Sequence, residues 1–94
     1  FRLPSDKERA AILDLRARLA GYDGPVEDEA LQNICYAVGK DHEFDPLRDW
    51  FKALYEVLLG ASEGPRFGGF VALYGVKETL ALIDRALAGD LVQG

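Results

Sequence analysis

The chain has no methionine, one cysteine (Cys35), one histidine (His42) and one tryptophan (Trp50). Each scarcity removes a class of explanation. A lone cysteine excludes an internal disulfide framework and a zinc site built from several thiolates. A lone histidine removes most catalytic dyads and His-rich metal sites, so no catalytic residue and no metal site is expected. No apolar run approaches the roughly 18 residues needed to span a bilayer. No charged start followed by an apolar block marks a signal peptide, so a cytoplasmic protein is expected. Without methionine, and starting Phe1-Arg2-Leu3-Pro4, the chain is expected to be processed or, better, cut from a longer protein. Its parent's active site would then lie elsewhere.

What is present suits one folded unit. A length of 94 residues predicts a single domain over 1–94. At 49% hydrophobic and 29% charged residues it can pack a core and is not a disordered tail. The net charge of -5 is unevenly placed. Residues 1–22 are basic by a small margin, whereas 23–45 carry only Lys40 against Asp23, Glu27, Asp28, Glu29, Asp41, Glu43 and Asp45. That acidic middle argues against a nonspecific nucleic-acid binder, which normally shows a basic surface. Neither DNA nor a membrane is expected as a partner. A small local contact to RNA is compatible with the charge.

Helix signals recur along the chain. Ser5-Asp6-Lys7-Glu8 is a capping box, and Ile12, Leu15 and Leu19 follow at helical spacing, predicting a helix over 6–20 that stops at Gly21. Glu27, Asp28 and Glu29 suit a second N-terminus, and Leu31, Ile34, Cys35 and Val38 continue it to Gly39 as C-cap. Asp45-Pro46 predicts a third start, with Asp45 at the N-cap and Pro46 at the first helical position. The apolar stripe Leu47, Trp50, Phe51, Leu54, Leu58 then runs to Gly60, with Tyr55 beside it. Residues 60–69 hold four glycines and Pro65, too many for a regular helix throughout. A short helix is expected over 70–74, broken by Gly75. A last one carries Val76, Leu80, Ile83 and Leu87 and closes at Gly89. The expected fold is all-α, a bundle of about five helices. Five capped amphipathic segments can close a core unaided, so a monomer is expected.

The chemistry-bearing patterns are incomplete. Asp41-x-Glu43-x-Asp45 has the spacing of a calcium loop, but Pro46 stands where glycine is needed and Lys52 where the closing glutamate belongs. His42-Glu43 lacks a second histidine at zinc-protease spacing, and Gly39-Lys40-Asp41 lacks the rest of a phosphate loop. Cys35 falls on an apolar stripe and is expected to be buried and structural. Trp50, Phe51 and Tyr55 fall with Leu47, Leu54 and Leu58, so core outweighs base stacking. Phe67, in a glycine-rich turn after Arg66, is divided evenly between core and contact surface. Arg48 and Lys52 lie four apart, away from the apolar stripe. An ordinary solvated face with a Lys52–Glu56 pair outweighs a phosphate-binding patch there.

Two runs carry a resemblance. Leu47-Arg48-Asp49-Trp50-Phe51-Lys52-Ala53-Leu54-Tyr55-Glu56-Val57-Leu58-Leu59-Gly60 and Gly64-Pro65-Arg66-Phe67-Gly68-Gly69-Phe70-Val71-Ala72-Leu73-Tyr74-Gly75 resemble the C-terminal end of class I lysyl-tRNA synthetases. About half the chain carries the likeness, and residues 1–46 fit as two preceding helices. The resemblance implies a helical anticodon-binding domain of the kind shared with glutamyl-tRNA synthetases. It implies a parent that joins lysine to its tRNA using ATP and magnesium. The parent's catalytic domain, also a partner, is absent, so this stretch alone is expected to be inactive and to hold no cofactor. The RNA contacts would be Arg66 and Phe67, with Arg48 and Lys52 on phosphates. Single-stranded loops are read by aromatic faces, Arg planes and hydrogen bonds to base edges, which fits an Arg-Phe pair on a tight turn. The competing readings are a protein-interaction bundle without RNA and the equivalent glutamyl-type domain.

Overall fold

A computed structural model describes residues 1–92. Among them lie five α-helices and no strand: α1 (Asp6–Ala20), α2 (Asp28–Asp41), α3 (Arg48–Leu54), α4 (Phe67–Tyr74) and α5 (Val76–Leu87). A π-helical turn, Tyr55–Leu59, extends α3. The all-helical bundle is the one the periodicity predicts. The Ser5 capping box is formed: the Ser5 hydroxyl accepts from the Glu8 amide at 3.3 Å, and the Glu8 carboxylate accepts from the Ser5 amide at 2.8 Å. Among the described residues no helix is long and apolar enough to cross a membrane.

Two of the expected helix boundaries are corrected. Gly39 is not the C-cap of α2, which continues to Asp41. It sits buried in the last turns because a Cβ there would come within 2.6 Å of the Trp50 ring, so glycine serves close packing rather than termination. Asp45 is not the N-cap of α3, and Pro46 is not its first residue. The cap position is Leu47, and no side chain caps the helix. The entry turn satisfies itself instead, with the Asp49 amide donating to the Pro46 carbonyl and the Trp50 amide to that of Leu47. Asp45 therefore has no cap bond to lose.

One core cluster runs through the helices, containing Ile12, Leu15, Leu31, Cys35, Trp50, Leu54, Phe67, Val71 and Ile83. Trp50 is fully buried, and its indole N–H donates to the Cys35 carbonyl at 3.0 Å. That bond satisfies a polar group that would be costly to bury alone. Burial pushes the Cys35 thiol up to about 12, the inert state expected for it. Two ties hold the start of the chain. Arg2 bonds Glu8 at 2.7 Å and Glu56 at 3.0 Å, fastening the entrance of α1 to the π turn. The Glu56 partner is thus Arg2 and not Lys52, so the expected i, i+4 pair is absent.

Candidate nucleic-acid interface

The glycine-rich stretch is where the structure departs most from helix propensity. α4 starts at Phe67, three residues earlier than expected, and includes Gly68 and Gly69. The physical reason is its crossing with α2. A Cβ on Gly68 would collide with the Asp28 carbonyl and sit 2.6 Å from the Gln32 backbone nitrogen. The two backbones approach so closely because Gly68 has no side chain. The buried Gln32 side chain then accepts the Gly68 N–H at 2.7 Å, supplying one partner that a helix start lacks. Burial and this bond hold a glycine-rich segment helical.

This crossing decides Phe67, which is fully buried in the core and packs 5.8 Å from Phe70 between ring centres. It is removed from the list of RNA-contacting residues: a base could reach its ring only if α4 left α2. Arg66, directly before it, is outside, with 54% of its side chain exposed. Its Nε lies 3.3 Å from an Asp28 carboxylate oxygen that has no hydrogen-bond partner among the described residues, so the contact is ionic and its geometry is not that of a hydrogen bond. Such an exposed pair contributes less than about 1 kcal/mol and leaves most of the guanidinium free. The ionic partner is Asp28 on α2 and not the sequence-near Glu63.

Arg66, Gly69, Phe70, Leu73 and Tyr74 follow at i, i+3, i+4, i+7 and i+8, and with Pro65 they line a groove of about 410 Å³. Phe70 and Tyr74 stack at 5.0 Å with an 18° tilt, and Leu73 is 93% exposed. Arg48, Phe51, Lys52 and Tyr55 likewise follow at i, i+3, i+4 and i+7, and with Asp49 and Ser62 they line a second cavity of about 400 Å³. Arg48 and Lys52 are exposed and form no salt bridge among the described residues. The two hollows adjoin at one point: the Tyr55 hydroxyl, on the second, donates at 2.7 Å to the carbonyl of Pro65, on the first. Burial raises the Tyr55 phenol above its usual range, so it remains a neutral donor there.

The structure thus divides the four sequence candidates. Arg66 stands on one hollow, Arg48 and Lys52 on the other, and Phe67 on neither. Sequence reasoning missed Phe70 and Tyr74, and it placed Phe51 and Tyr55 wholly with the core although both are only half-buried. For Phe51 and Tyr55 the signal was the i, i+3, i+4, i+7 run of alternating cations and aromatics, which marks the border of the apolar stripe. His42 is engaged with Asp14 at 2.9 Å, and no metal-holding cluster occurs among the described residues.

The chain is similar to part of proteins named lysine–tRNA ligase. It is 70% identical over 92 residues to one from Roseobacter denitrificans, a match covering 98% of this chain and 17% of that protein. It is 43% identical over 84 residues to those of Rickettsia felis and Rickettsia bellii, covering 89% of this chain and 16% of each. The chain therefore spans about one sixth of the length of the lysine–tRNA ligases it matches. No family model and no solved structure matches it. The likeness to lysine–tRNA ligases covers α1 and α2 as well as the two runs from which the resemblance was drawn.

Proposed function

We propose that the chain is the C-terminal anticodon-binding domain of a class I lysine–tRNA ligase, a cytoplasmic enzyme that attaches lysine to its tRNA using ATP and magnesium. In this reading the catalytic domain lies in the rest of the ligase, and this domain works as a monomeric bundle that holds the anticodon end. The carrying observation is Arg66: a half-exposed guanidinium at the head of α4, beside a groove walled by Phe70 and Tyr74. A guanidinium can stack on a base and hydrogen-bond to its edge at once. The relatives named above are lysine enzymes, which favours the lysyl over the glutamyl reading. The test is aminoacylation by the full-length ligase carrying Arg66→Ala, on wild-type and anticodon-variant tRNA. Discrimination between the tRNAs should fall while lysine activation is unchanged. Equal losses on both tRNAs with a lower melting temperature would make Arg66 a structural residue.

A protein-docking role has one observation in its favour, the exposure of Leu73 on the apolar groove. Under that reading Leu73→Asp in the full-length ligase would loosen this domain from its neighbour, seen as new protease cleavage between them. Arg66→Ala would then leave anticodon discrimination intact.

A further inference from the structure

The cavity on α3 holds more than phosphate contacts require. Arg48 and Lys52 present two cations without ion-pair partners among the described residues, one helical turn apart, while Phe51 and Tyr55 wall the same hollow and Ser62 closes it from the loop. Among the described residues Asp49 is the one carboxylate on the lining, so the lining itself carries a net positive charge in a chain whose net charge is -5. Such a local excess favours a polyanion at this place. A bare phosphate needs no aromatic wall, and an apolar peptide needs no pair of free cations. The combination fits a nucleotide, whose base has an apolar face and whose phosphate is charged.

We infer that this cavity is a second nucleotide subsite, taking an unpaired RNA nucleotide with its base against Phe51 and Tyr55 and its phosphate on Arg48 and Lys52. The Ser62 hydroxyl supplies a donor and acceptor at the rim. The inference rests on the proposed function in that the strand is the one whose neighbouring nucleotide meets Arg66. The Tyr55–Pro65 hydrogen bond makes one wall common to both hollows. A strand occupying both must therefore turn around Pro65, with its two bases splayed apart instead of stacked on each other. This geometry suits a loop whose bases are already unstacked and excludes a continuous duplex.

The test is an amide-shift titration of the isotope-labelled chain with a single-stranded uridine pentamer. The controls are an abasic pentamer with the same phosphates and a glutamate pentapeptide. Saturable shifts at Phe51, Lys52 and Ser62 are expected, with the abasic strand bound at least fivefold more weakly. Arg48→Ala with Lys52→Ala should weaken the pentamer at least tenfold and lower the single-strand salt slope by about 1.4, since each cation contributes about 0.7. Both residues are exposed, so the melting temperature should hold. Equal binding of the abasic strand would reduce the cavity to a phosphate contact and overturn the inference. Equal binding of the pentapeptide would assign it to an acidic protein segment, and the absence of saturable shifts would also overturn it. Failure here with intact Arg66 discrimination sinks the subsite alone. Shifts at Ser62 with no Arg66 effect on anticodon variants sink the proposed function alone.

Discussion

α4 has two uncharged faces of opposite fate. Phe67, Gly68 and Val71 lie inside against α2, whereas Phe70 is half-buried and Leu73 and Tyr74 stand in solvent. Eight residues without a charge, Phe67–Tyr74, give hydropathy nothing by which to tell the faces apart. Gly68 and Gly69 sit on opposite faces, and the tertiary contact decides between them: at Gly68 the backbone comes down on Asp28 and Gln32, and that approach fixes which side is covered. A residue's place in the core is here set by who can approach, not by how apolar it is.

Four substitutions would break or sharpen that contrast. Phe67→Ala empties a fully buried ring site and should cost about 3–5 kcal/mol in chemical denaturation. A loss below 1 kcal/mol would return Phe67 to the contact surface. Gly68→Ala forces a methyl against the α2 backbone and should cost about 1–3 kcal/mol, with α4 amides losing hydrogen-exchange protection first.

The smaller effects concern the rim. The Arg2 guanidinium holds the Glu8 carboxyl at about 2, below its usual 4.5, despite opposing burial. A carboxyl lowered by folding contributes stability above its unfolded value and loses it as pH falls through its folded value. The wild-type chain should therefore lose up to about 1 kcal/mol between pH 4.5 and 2 from this group. Arg2→Ala should flatten that part of the profile, and an unchanged acid limb would discount the tie. Leu73→Asp, on the open face, should change stability by less than about 0.5 kcal/mol, and a larger loss in thermal melts would mean the face is covered.

Much of this was legible in the residues, for local reasons. The Ser5–Glu8 box is a sequence-near bond, and the stripes of α1 and α5 are repeats at helical period, so both are found in the fold as read. What failed was read with local rules where distant contacts ruled. Asp45-Pro46 has the composition of a cap, yet the entry turn at Pro46 and Leu47 closes on its own backbone. Gly39 resembles a terminator, yet it is a clearance for Trp50. Of the candidate site, Arg48 and Lys52 could be named because surface charge is visible in a helical wheel, and Arg66 because it is the cation of the glycine-rich turn. Phe51 and Tyr55 could have been named with them, since they alternate with Arg48 and Lys52 at helical spacing; Phe70 and Tyr74 could not, because their exposure depends on how α4 meets α2.

The sequence by itself determined that this is a bundle of capped helices, that Cys35 and Trp50 belong to its interior, and that the 60–69 stretch is the exceptional one. These follow from periodicity, capping and side-chain size, which act within a few residues. Only the tertiary structure decided that α4 begins at Phe67, that Phe67 is inside while Arg66 is out, and that two hollows share a wall at Tyr55 and Pro65. Those depend on α2 and α4 closing to backbone contact across 36 positions of chain, as the Gln32 to Gly68 bond records. No local preference encodes a distance between elements so far apart, and packing alone sets it.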